Sequence, residues 1–256
     1  MPDYTQDFKG KSVLVTGAAA GMGLATAKAF ARSGALVALA DYKEEAVKAA
    51  AEDIKADGHE AIAIAADVSD ESQVESLVES VITTFGGLHA AFNNAGVMAK
   101  IAPIAESSSE EWERVTGINL RGVYNCLKYE LRHMQRQGEG AIVNNASVGA
   151  MTGNPGISSY IASKHGVVGL TRTAALEAIQ HGVRVNAINP GVIDTQIARD
   201  VVNNDDEQYK QMESGVPAKR AGTPDEIANA VLWLASPASS YVLGHALVVD
   251  GGMTVP

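Results

Sequence analysis

Short apolar runs rich in β-branched residues alternate along the chain with longer amphipathic stretches. The first of these runs are almost wholly apolar, which is typical of strands buried on both faces of a parallel sheet. Seven runs recur, at residues 12–16, 35–40, 61–64, 88–92, 141–144, 183–188 and 246–249. The pattern predicts an α/β fold with an open, doubly wound parallel sheet of about seven strands between two helical layers.

Helix boundaries are marked between these runs. Ser108 with Glu111, and Thr223 with Glu226, have the spacing of a capping box, and Pro224 occupies the favoured first helical position. Four glycines stand between a helical stretch and a strand, where a left-handed residue can end a helix: Gly34, Gly58, Gly138 and Gly182.

One connection, Thr195 to Pro217, is longer than a strand-to-helix link requires, and its centre at residues 203–207 is polar. Ligand sites in doubly wound sheets lie beyond the carboxyl ends of strands. We therefore interpret residues 195–217 as a substrate lid, with a solvated surface excursion as the alternative. Because the sequence contains neither a linker nor a shift in composition, we predict one domain over residues 1–256.

A glycine-rich loop joins the first run to the first helix. Gly17, Gly21 and Gly23 have G-x-x-x-G-x-G spacing, with Met22 between the last two. Gly17 permits a tight turn, Gly21 leaves room for a pyrophosphate, and Gly23 allows close helix packing. The N–H groups at the start of the following helix can bind phosphate. The loop predicts dinucleotide binding.

Asp41 ends the second run, about 20 residues after the glycine loop. A carboxylate there can accept hydrogen bonds from both hydroxyls of an adenosine ribose and would repel a 2′-phosphate. We therefore predict NAD rather than NADP as the cofactor, although Lys43 lies close enough to leave NADP open.

Two Tyr–Lys pairs have helical spacing. Tyr160 and Lys164, and likewise Tyr124 and Lys128, are four residues apart and so share a helix face. Ser147 lies thirteen residues before Tyr160 at the end of a buried run, whereas an acidic helical stretch holds the matching position before Tyr124. We interpret Tyr160 and Lys164 as catalytic, and the other pair as packing and surface residues.

Together these motifs resemble those of the short-chain dehydrogenase/reductase family, in its common branch of about 250 residues. The resemblance covers residues 12–191 and the last run. The matching positions are Gly17, Gly21, Gly23, Asp67, Val68, Asn93, Asn94, Ala95, Gly96, Asn119, Ser147, Tyr160, Lys164, Pro190, Gly191 and residues 249–252. Met22 replaces the usual Ile, a mild apolar exchange.

The resemblance implies a Rossmann-type oxidoreductase that transfers a hydride between NAD(H) and a secondary alcohol or ketone. It implies that Tyr160 is the general acid/base and that Lys164 lowers the pKa of Tyr160 and binds the nicotinamide ribose. Ser147 would polarise the substrate oxygen, and Asn119 would orient a relay water.

The same resemblance implies further cofactor contacts. Asp67 would accept from the adenine amino group and Val68 would donate its N–H. The adenosine ribose would be lined by the segment from Asn93 through Ala95 to Gly96, in which Asn94 ties neighbouring strands together. At the nicotinamide end we expect contacts from Pro190, Gly191, Ile193 and Thr195.

Charge and composition exclude several classes of binding partner. With 20 Lys plus Arg against 30 Asp plus Glu, the chain has a formal net charge of −10, which makes nucleic acid a poor partner. No apolar run approaches the ~18 residues that span a bilayer, and the polar start differs from a secretory signal, so we expect a cytoplasmic protein without a membrane partner. Cys126 is the only cysteine, which leaves no intrachain disulfide. The six histidines lack ligand spacing, so no metal is expected.

The substrate walls are expected from residues 97–101, residues 149–157 and the lid, which are mostly apolar. They fit a small cyclic or apolar secondary alcohol or ketone, with a polyol or sugar as the next choice. A 3-oxoacyl-carrier reductase is an alternative, but such enzymes usually use NADP, against which Asp41 argues. A non-catalytic nucleotide-binding scaffold is a second alternative, which loss of a catalytic residue would favour. Family members of this length are usually homotetramers, with helices near 117–137 and 158–181 forming one interface.

Overall fold

A computed structural model describes residues 7–255, so residues 2–6 of the polar start, together with Met1 and Pro256, lie outside the described residues. Within 7–255 one parallel sheet has seven strands in the order β3-β2-β1-β4-β5-β6-β7. The strands are β1 Ser12–Thr16, β2 Leu36–Asp41, β3 Ala61–Ala65, β4 Ala90–Asn93, β5 Gly140–Asn145, β6 Val183–Pro190 and β7 Ala246–Val249. The predicted doubly wound sheet is confirmed, and its strand order reverses between β1 and β4.

Helices cover both faces of the sheet. They are α1 Gly21–Arg32, α2 Glu44–Ala56, α3 Glu71–Phe85, α4 Ser109–Thr116, α5 Gly122–Gln137, α6 Ser158–Ala178, α7 Gln196–Val201, α8 Asp206–Gly215 and α9 Pro224–Ala235. On β1, Val13 and Val15 pack into the layer of α1, α2 and α9, whereas Leu14 packs into the layer of α3, α5 and α6. Burial on both faces explains why the centre of this strand, Val13–Val15, is apolar.

Most predicted helix ends are formed. The four glycines between helices and strands adopt left-handed φ values of +80°, +84°, +83° and +74°, at Gly34, Gly58, Gly138 and Gly182. Thr223 and Glu226 form a complete capping box. The capping box predicted at Ser108 is only half formed: the Ser108 hydroxyl accepts from Glu111 N, but the Glu111 carboxylate binds Arg114 instead.

Three elements were not predicted. A π turn, Gly117–Arg121, joins α4 to α5, and the Gly122 amide donates to the Gly117 carbonyl. The connection at residues 195–217 contains the short helices α7 and α8. Their N-caps are Thr195 and Asp205, whose side chains accept from backbone amides of the first turn.

A separate hydrophobic cluster joins the segment 195–217 to Val192 before it and Ala221 after it. Val202, Tyr209 and Ala221 are its buried members, separate from the two clusters that flank the sheet. Among the described helices, none is both long and apolar enough to cross a membrane.

Candidate active site

The carboxyl ends of β1, β4, β5 and β6 meet at one edge of the sheet, at the point where the strand order reverses. Open α/β sheets bind ligands at this position. The loops that follow these strands carry the glycine loop, Ala95, Gly96, Ser147 and residues 191–195. Helix α6 brings Tyr160 and Lys164 to the same edge, where Lys164 contacts the end of β5.

The glycine loop is closely packed and requires its glycines. Gly17 and Gly21 have φ values of +62° and +54°. A Cβ on Gly17 would lie 2.9 Å from Ala95 Cα, and one on Gly23 would lie 2.2 Å from the Gly17 oxygen. Within the described residues, α1 begins without a side-chain cap at Ala20, so its first N–H groups remain available to a ligand. This cradle fits a pyrophosphate.

Thr195 closes one side of that cradle. A Cβ on Gly21 would lie 3.3 Å from Thr195 Cγ2, which brings the first residue of the 195–217 segment against the glycine loop. The Thr195 hydroxyl donates to the Ile193 carbonyl at 3.3 Å and accepts from Ala198 N at 3.4 Å. Gly191, just upstream, donates to the Val249 carbonyl at 3.0 Å. The run predicted at 183–188 therefore continues as β6 to Pro190, and Gly191 follows it.

Asp41 is fixed beside the glycine loop at the end of β2. Its Oδ2 accepts from Ala19 N at 3.2 Å and its Oδ1 accepts from Lys43 N at 3.0 Å. The carboxylate is half-buried, so part of it remains open to hydroxyl donors. The Lys43 contact uses the backbone amide, and this residue's ammonium lies 5.5 Å from the Tyr42 ring centroid.

Asn94 links three strands. Its Nδ2 donates to the Thr16 and Gly17 carbonyls at 3.0 and 3.1 Å, and its Oδ1 accepts from Asn145 Nδ2 at 2.9 Å. The tying role implied for Asn94 agrees with this geometry. The side chain of Asn93 is only 2% exposed, so a ribose contact expected from this residue would have to come from its main chain. Successive residues of a strand point to opposite faces, so Asn93 turns into the core where Asn94 turns to the loop.

At the other end of the predicted cofactor site, Asp67 is held in a turn after β3. Its Oδ1 accepts from the Ser69 amide at 2.9 Å and from the Ser69 hydroxyl at 2.7 Å. The neighbouring Val68 is buried, and its carbonyl accepts from Asn125 Nδ2 at 2.9 Å. These bonds fix the turn and leave Asp67 Oδ2 as its acceptor for a ligand.

Ser147, Tyr160 and Lys164 converge. Ser147 precedes a 3₁₀ turn and accepts from Gly149 N at 3.1 Å. Tyr160 and Lys164 share a face of α6, with Lys164 Nζ 5.6 Å from the Tyr160 ring centroid. Lys164 is 4% exposed and donates to the Asn145 carbonyl at 2.8 Å.

Burial dominates the electrostatics of this set. It raises the pKa of Tyr160, and a hydrogen bond with Ser147 acts in the opposite direction without reversing it. Burial also lowers the pKa of Lys164 to about 8. The lowered pKa expected for Tyr160 is therefore not a property of the protein alone. At neutral pH the phenol is protonated, the form that can donate a proton to a ketone oxygen.

Asn119 lies next to this set inside the π turn. A Cβ on Gly96 would lie 3.3 Å from Asn119 Oδ1 and 3.6 Å from Lys164 Nζ, so the three residues are neighbours. Asn119 Oδ1 accepts from Val97 N, and Asn119 Nδ2 donates to the Val97 carbonyl, both at 2.8 Å. Asn119 is fully buried, and Val97 uses one acceptor and one donor position of its side-chain amide.

Sequence reasoning missed one group at this edge. Glu130 on α5 is fully buried and accepts from Asn93 Nδ2 at 2.9 Å. Its position was visible in the helix period, since Val123, Cys126 and Leu127 precede it on the same apolar face. Among residues 7–255, no group of three or more His, Cys, Asp or Glu side chains could hold a metal ion.

The second tyrosine–lysine pair, which the sequence assigned to packing and the surface, lies on α5. Tyr124 is half exposed, and Lys128 forms a salt bridge with Glu71. Cys126 is buried in the core, and burial raises the pKa of its thiol. Both agree with the structural roles assigned to them from the sequence.

Known proteins resemble this chain over nearly its whole length. A family model described as Enoyl-(Acyl carrier protein) reductase matches residues 17–254. A 2,5-dichloro-2,5-cyclohexadiene-1,4-diol dehydrogenase from Sphingobium indicum is 40% identical, with 97% of this chain and 98% of that protein covered. A cyclohexanol dehydrogenase from Acinetobacter sp. is 38% identical, with 96% of each covered. A 3-oxoacyl-(acyl-carrier-protein) reductase from Staphylococcus aureus is 40% identical, with 95% of this chain and 98% of that protein covered.

Among solved structures, levodione reductase superposes with a TM-score of 0.93 at 39% identity, covering 96% of this chain and 98% of that one. The match therefore extends from the glycine loop to the last strand in both sequence and shape. The chain belongs to the short-chain dehydrogenase/reductase family, and it is an oxidoreductase of alcohols and ketones that uses a nicotinamide cofactor.

Proposed function

We propose that this protein is an NAD-dependent dehydrogenase/reductase of compact apolar secondary alcohols and ketones, cyclic ones included. The observation that carries the proposal is the Ser147, Tyr160 and Lys164 set at the base of an open apolar rim. The names of the cyclohexanol and dichlorocyclohexadienediol dehydrogenases among the relatives support the same substrate class.

The residues that would hold the cofactor lie along the carboxyl edge of the sheet. The amides after Gly17, Gly21 and Gly23 would bind the pyrophosphate, Asp41 the adenosine ribose, and Lys164 the nicotinamide ribose. NAD(H) supplies the hydride acceptor or donor when it is bound. The choice of NAD over NADP is supported by the carboxylate of Asp41 beside the loop, because it would repel a 2′-phosphate.

The chain's own chemistry is proton transfer and charge stabilisation. Tyr160 would donate a proton to a ketone oxygen or take one from an alcohol. The Ser147 hydroxyl would hydrogen-bond the same oxygen and stabilise its developing negative charge. An ammonium on Lys164 favours the phenolate form of Tyr160 by Coulomb attraction and so supports the oxidation direction.

The rim above these groups supports an apolar substrate. Ile101, Ile104 and Met151 are 73%, 76% and 53% exposed, and Ile197 on α7 is 48% exposed. The loop with Ile101 is bonded to the loop with Met151, since Ala102 N donates to the Gly156 carbonyl at 2.9 Å. Exposed aliphatic side chains gathered in one region are typical of surfaces that bind apolar ligands.

A 3-oxoacyl-carrier reductase is the second candidate, and the Staphylococcus aureus relative favours it. Such a substrate carries a phosphate-linked arm, which cations at the rim would recognise. Arg114, on the helix beside the rim, is engaged by Glu111 in two bonds of 2.9 and 2.8 Å and also donates to the Met98 carbonyl. This pairing, together with Asp41, supports the small-alcohol assignment.

We also propose that two or more copies assemble, in a homotetramer, and that the protein works in the cytoplasm. A groove between α4, α5 and α6 is lined by small and apolar residues, among them Gly117, Leu120, Gly166 and Leu170. A Cβ added at Gly169 on the same face would contact nothing within 4 Å, so the face is flat enough for another helix pair. Light scattering after size-exclusion chromatography tests the assembly: a monomer would contradict it.

Turnover of a panel tests the assignment. Cyclohexanol-type alcohols with NAD, a polyol with NAD, and a 3-oxoacyl thioester with NADPH are assayed in parallel, with NADH fluorescence as the measure of binding. We expect turnover of the cyclic alcohols with NAD. Preferred turnover of the thioester with NADPH would establish the second candidate, and NADH binding without any turnover would indicate a non-catalytic relative.

A further inference from the structure

The carboxyl group of Glu130 is buried behind the site, and a neutral amide is its hydrogen-bond partner. Glu130 is 0% exposed, and burial raises its pKa to about 7. The other influence on it is a hydrogen bond from Asn93, which is neutral. An ionised carboxylate in such surroundings lacks the compensating charge that buried ions normally have.

Glu130 ends a chain of hydrogen bonds that crosses four elements. Asn93 Nδ2 donates to Glu130 Oε2 at 2.9 Å and to Asn144 Oδ1 at 3.0 Å. Asn144 Nδ2 donates to the Thr171 hydroxyl at 3.0 Å, which donates to the Val167 carbonyl at 2.8 Å. These hydrogen bonds therefore join α5 to the ends of β4 and β5 and then to α6.

Within this series of hydrogen bonds, two side-chain oxygens have no partner among the described residues: Asn93 Oδ1 and Glu130 Oε1. The cavity that Asn93 and Cys126 line has no room for a water molecule. One proton on Glu130 Oε1, donated to Asn93 Oδ1, would satisfy both atoms and close an acid–amide pair joined by two hydrogen bonds. A single missing proton explains both orphans.

We propose that Glu130 is a positioning residue: a neutral carboxylic acid, paired with Asn93, that sets the carboxyl ends of β4 and β5 relative to each other. The part of this inference that concerns catalysis rests on the proposed function, because those two ends lead into Gly96 and Ser147. The pairing itself does not depend on what the site binds.

The groups that face Glu130 leave its ionisation uncompensated. The elements packed against it present neutral amides and a hydroxyl: Asn93 from β4, Asn144 from β5 and Thr171 from α6. Three titratable sites lie nearby. Cys126 is on α5 itself, and burial, followed by Glu130, raises the pKa of its thiol. Lys164 on α6 donates to Asn145, and Glu71 pairs with Lys128 on the outer side of α5. Loss of the Glu130 proton would put a negative charge against Asn93 Oδ1 and open the pair.

The sign of the pH effect follows. A carboxyl whose pKa is raised in the folded state contributes stability below its unfolded value of 4.5, and this contribution is lost as the pH rises towards about 7. Gln at position 130 reproduces the neutral acid, since its amide can donate to Asn93 Oδ1 and accept from Asn93 Nδ2. Glu130→Gln should therefore remove this part of the pH dependence.

The experiment compares melting temperatures from pH 5.5 to 9 for the wild-type protein, Glu130→Gln, Glu130→Leu and the control Glu79→Gln, which makes the same change at an exposed site. We expect the wild-type and control proteins to lose stability relative to Glu130→Gln as the pH rises from 5.5 to about 7, and the difference to level off above pH 7. Parallel curves for wild-type and Glu130→Gln would overturn the proposal, whatever the Leu variant does.

Two further readouts separate positioning from bulk stability. Infrared difference spectra between pH 6 and pH 9 should show a protonated carboxyl stretch in the wild-type protein that Glu130→Gln lacks; its absence from the wild-type spectrum would overturn the proposal. The KM for NAD should rise roughly fivefold with pH in the wild-type protein relative to Glu130→Gln, as expected from one hydrogen bond. If the wild-type protein and all variants are inactive while their melting and infrared results are as expected, the proposed function is overturned and the acid–amide pair stands.

Discussion

Lys164 Nζ lies 2.8 Å from the carbonyl oxygen of Asn145, so helix α6 is bonded to the end of β5 two residues before Ser147. Asn145 in turn donates from its side chain to Asn94 at 2.9 Å, at the end of β4. The helix of the proposed proton donor, the segment before Ser147 and the residue that ties the glycine loop are therefore connected through Asn145.

Replacing Tyr160 by Phe should remove the proton donor and leave the cofactor cradle intact. We expect kcat to fall roughly 10²–10⁴-fold, the usual contribution of general acid/base catalysis, with NADH binding unchanged. Steady-state kinetics and NADH fluorescence check this. Tyr124→Phe, in the other Tyr–Lys pair, is the matched control, and near wild-type turnover by Tyr160→Phe would rule out the assigned role.

Replacing Asp41 by Ala should relax the preference for NAD. The change removes the acceptor for the ribose hydroxyls and the charge that repels a 2′-phosphate. We expect the ratio of kcat/KM for NAD to that for NADP to fall roughly tenfold or more, as for a lost hydrogen bond to a charged group. Competition assays with both cofactors measure it, and an unchanged ratio would contradict the role of Asp41.

Lys164→Met should abolish turnover and yet stabilise the fold near neutral pH. Burial lowers the pKa of Lys164 from 10.5 to about 8, so keeping the ammonium in the core costs about 3 kcal/mol below pH 8. Loss of the bond to Asn145 offsets about 1 kcal/mol, which leaves a net gain of about 2 kcal/mol.

Urea denaturation at pH 7 and pH 9.5 tests the lysine prediction. The unfolded chain binds the extra proton between pH 8 and 10.5, so the wild-type protein gains stability over that range and the gap to Lys164→Met should narrow at pH 9.5. Lys128→Met, which breaks the exposed pair with Glu71, should show no comparable gain. A variant less stable than wild type at pH 7 would contradict the expectation.

Asp194→Ala should loosen residues 196–215. Asp194 Oδ1 accepts from the Tyr209 hydroxyl at 3.0 Å and from Arg199 at 3.1 Å, and Tyr209 is buried. Leaving that hydroxyl unpaired costs about 1–3 kcal/mol locally, so cleavage of the segment by trypsin should be roughly tenfold faster.

The pKa of Tyr209, raised to about 12 by burial and Asp194, should fall in the same variant. Asp206→Ala, whose charge lies 3.8 Å from Arg199 on the exposed side, is the control and should change neither the cleavage rate nor the tyrosine titration. Equal cleavage of the two variants would show that Asp194 does not hold the segment.

The strands, the glycine loop and the Tyr160–Lys164 face could be predicted because each depends on a short local pattern. The π turn at Gly117–Arg121 could not, since the Asn119 side chain that lies within it is held by Val97, a contact between distant parts of the chain. The same holds for the hydrogen bond between Asn93 and Glu130, which joins residues 37 positions apart. Helix α8 is different: Asp205 and Gln208 were a readable N-cap signal that the polar character of the segment concealed.

The hydrophobic cluster of Val202, Tyr209 and Ala221 separates the 195–217 segment from the two layers that flank the sheet. A unit with a core of its own can open and close below the global unfolding free energy, and its amides should exchange with solvent ahead of those in the strands. It can also accumulate substitutions without disturbing the sheet. Transplanting residues 196–215 between relatives therefore tests the proposed lid directly, because it leaves Thr195 and the glycine loop unchanged.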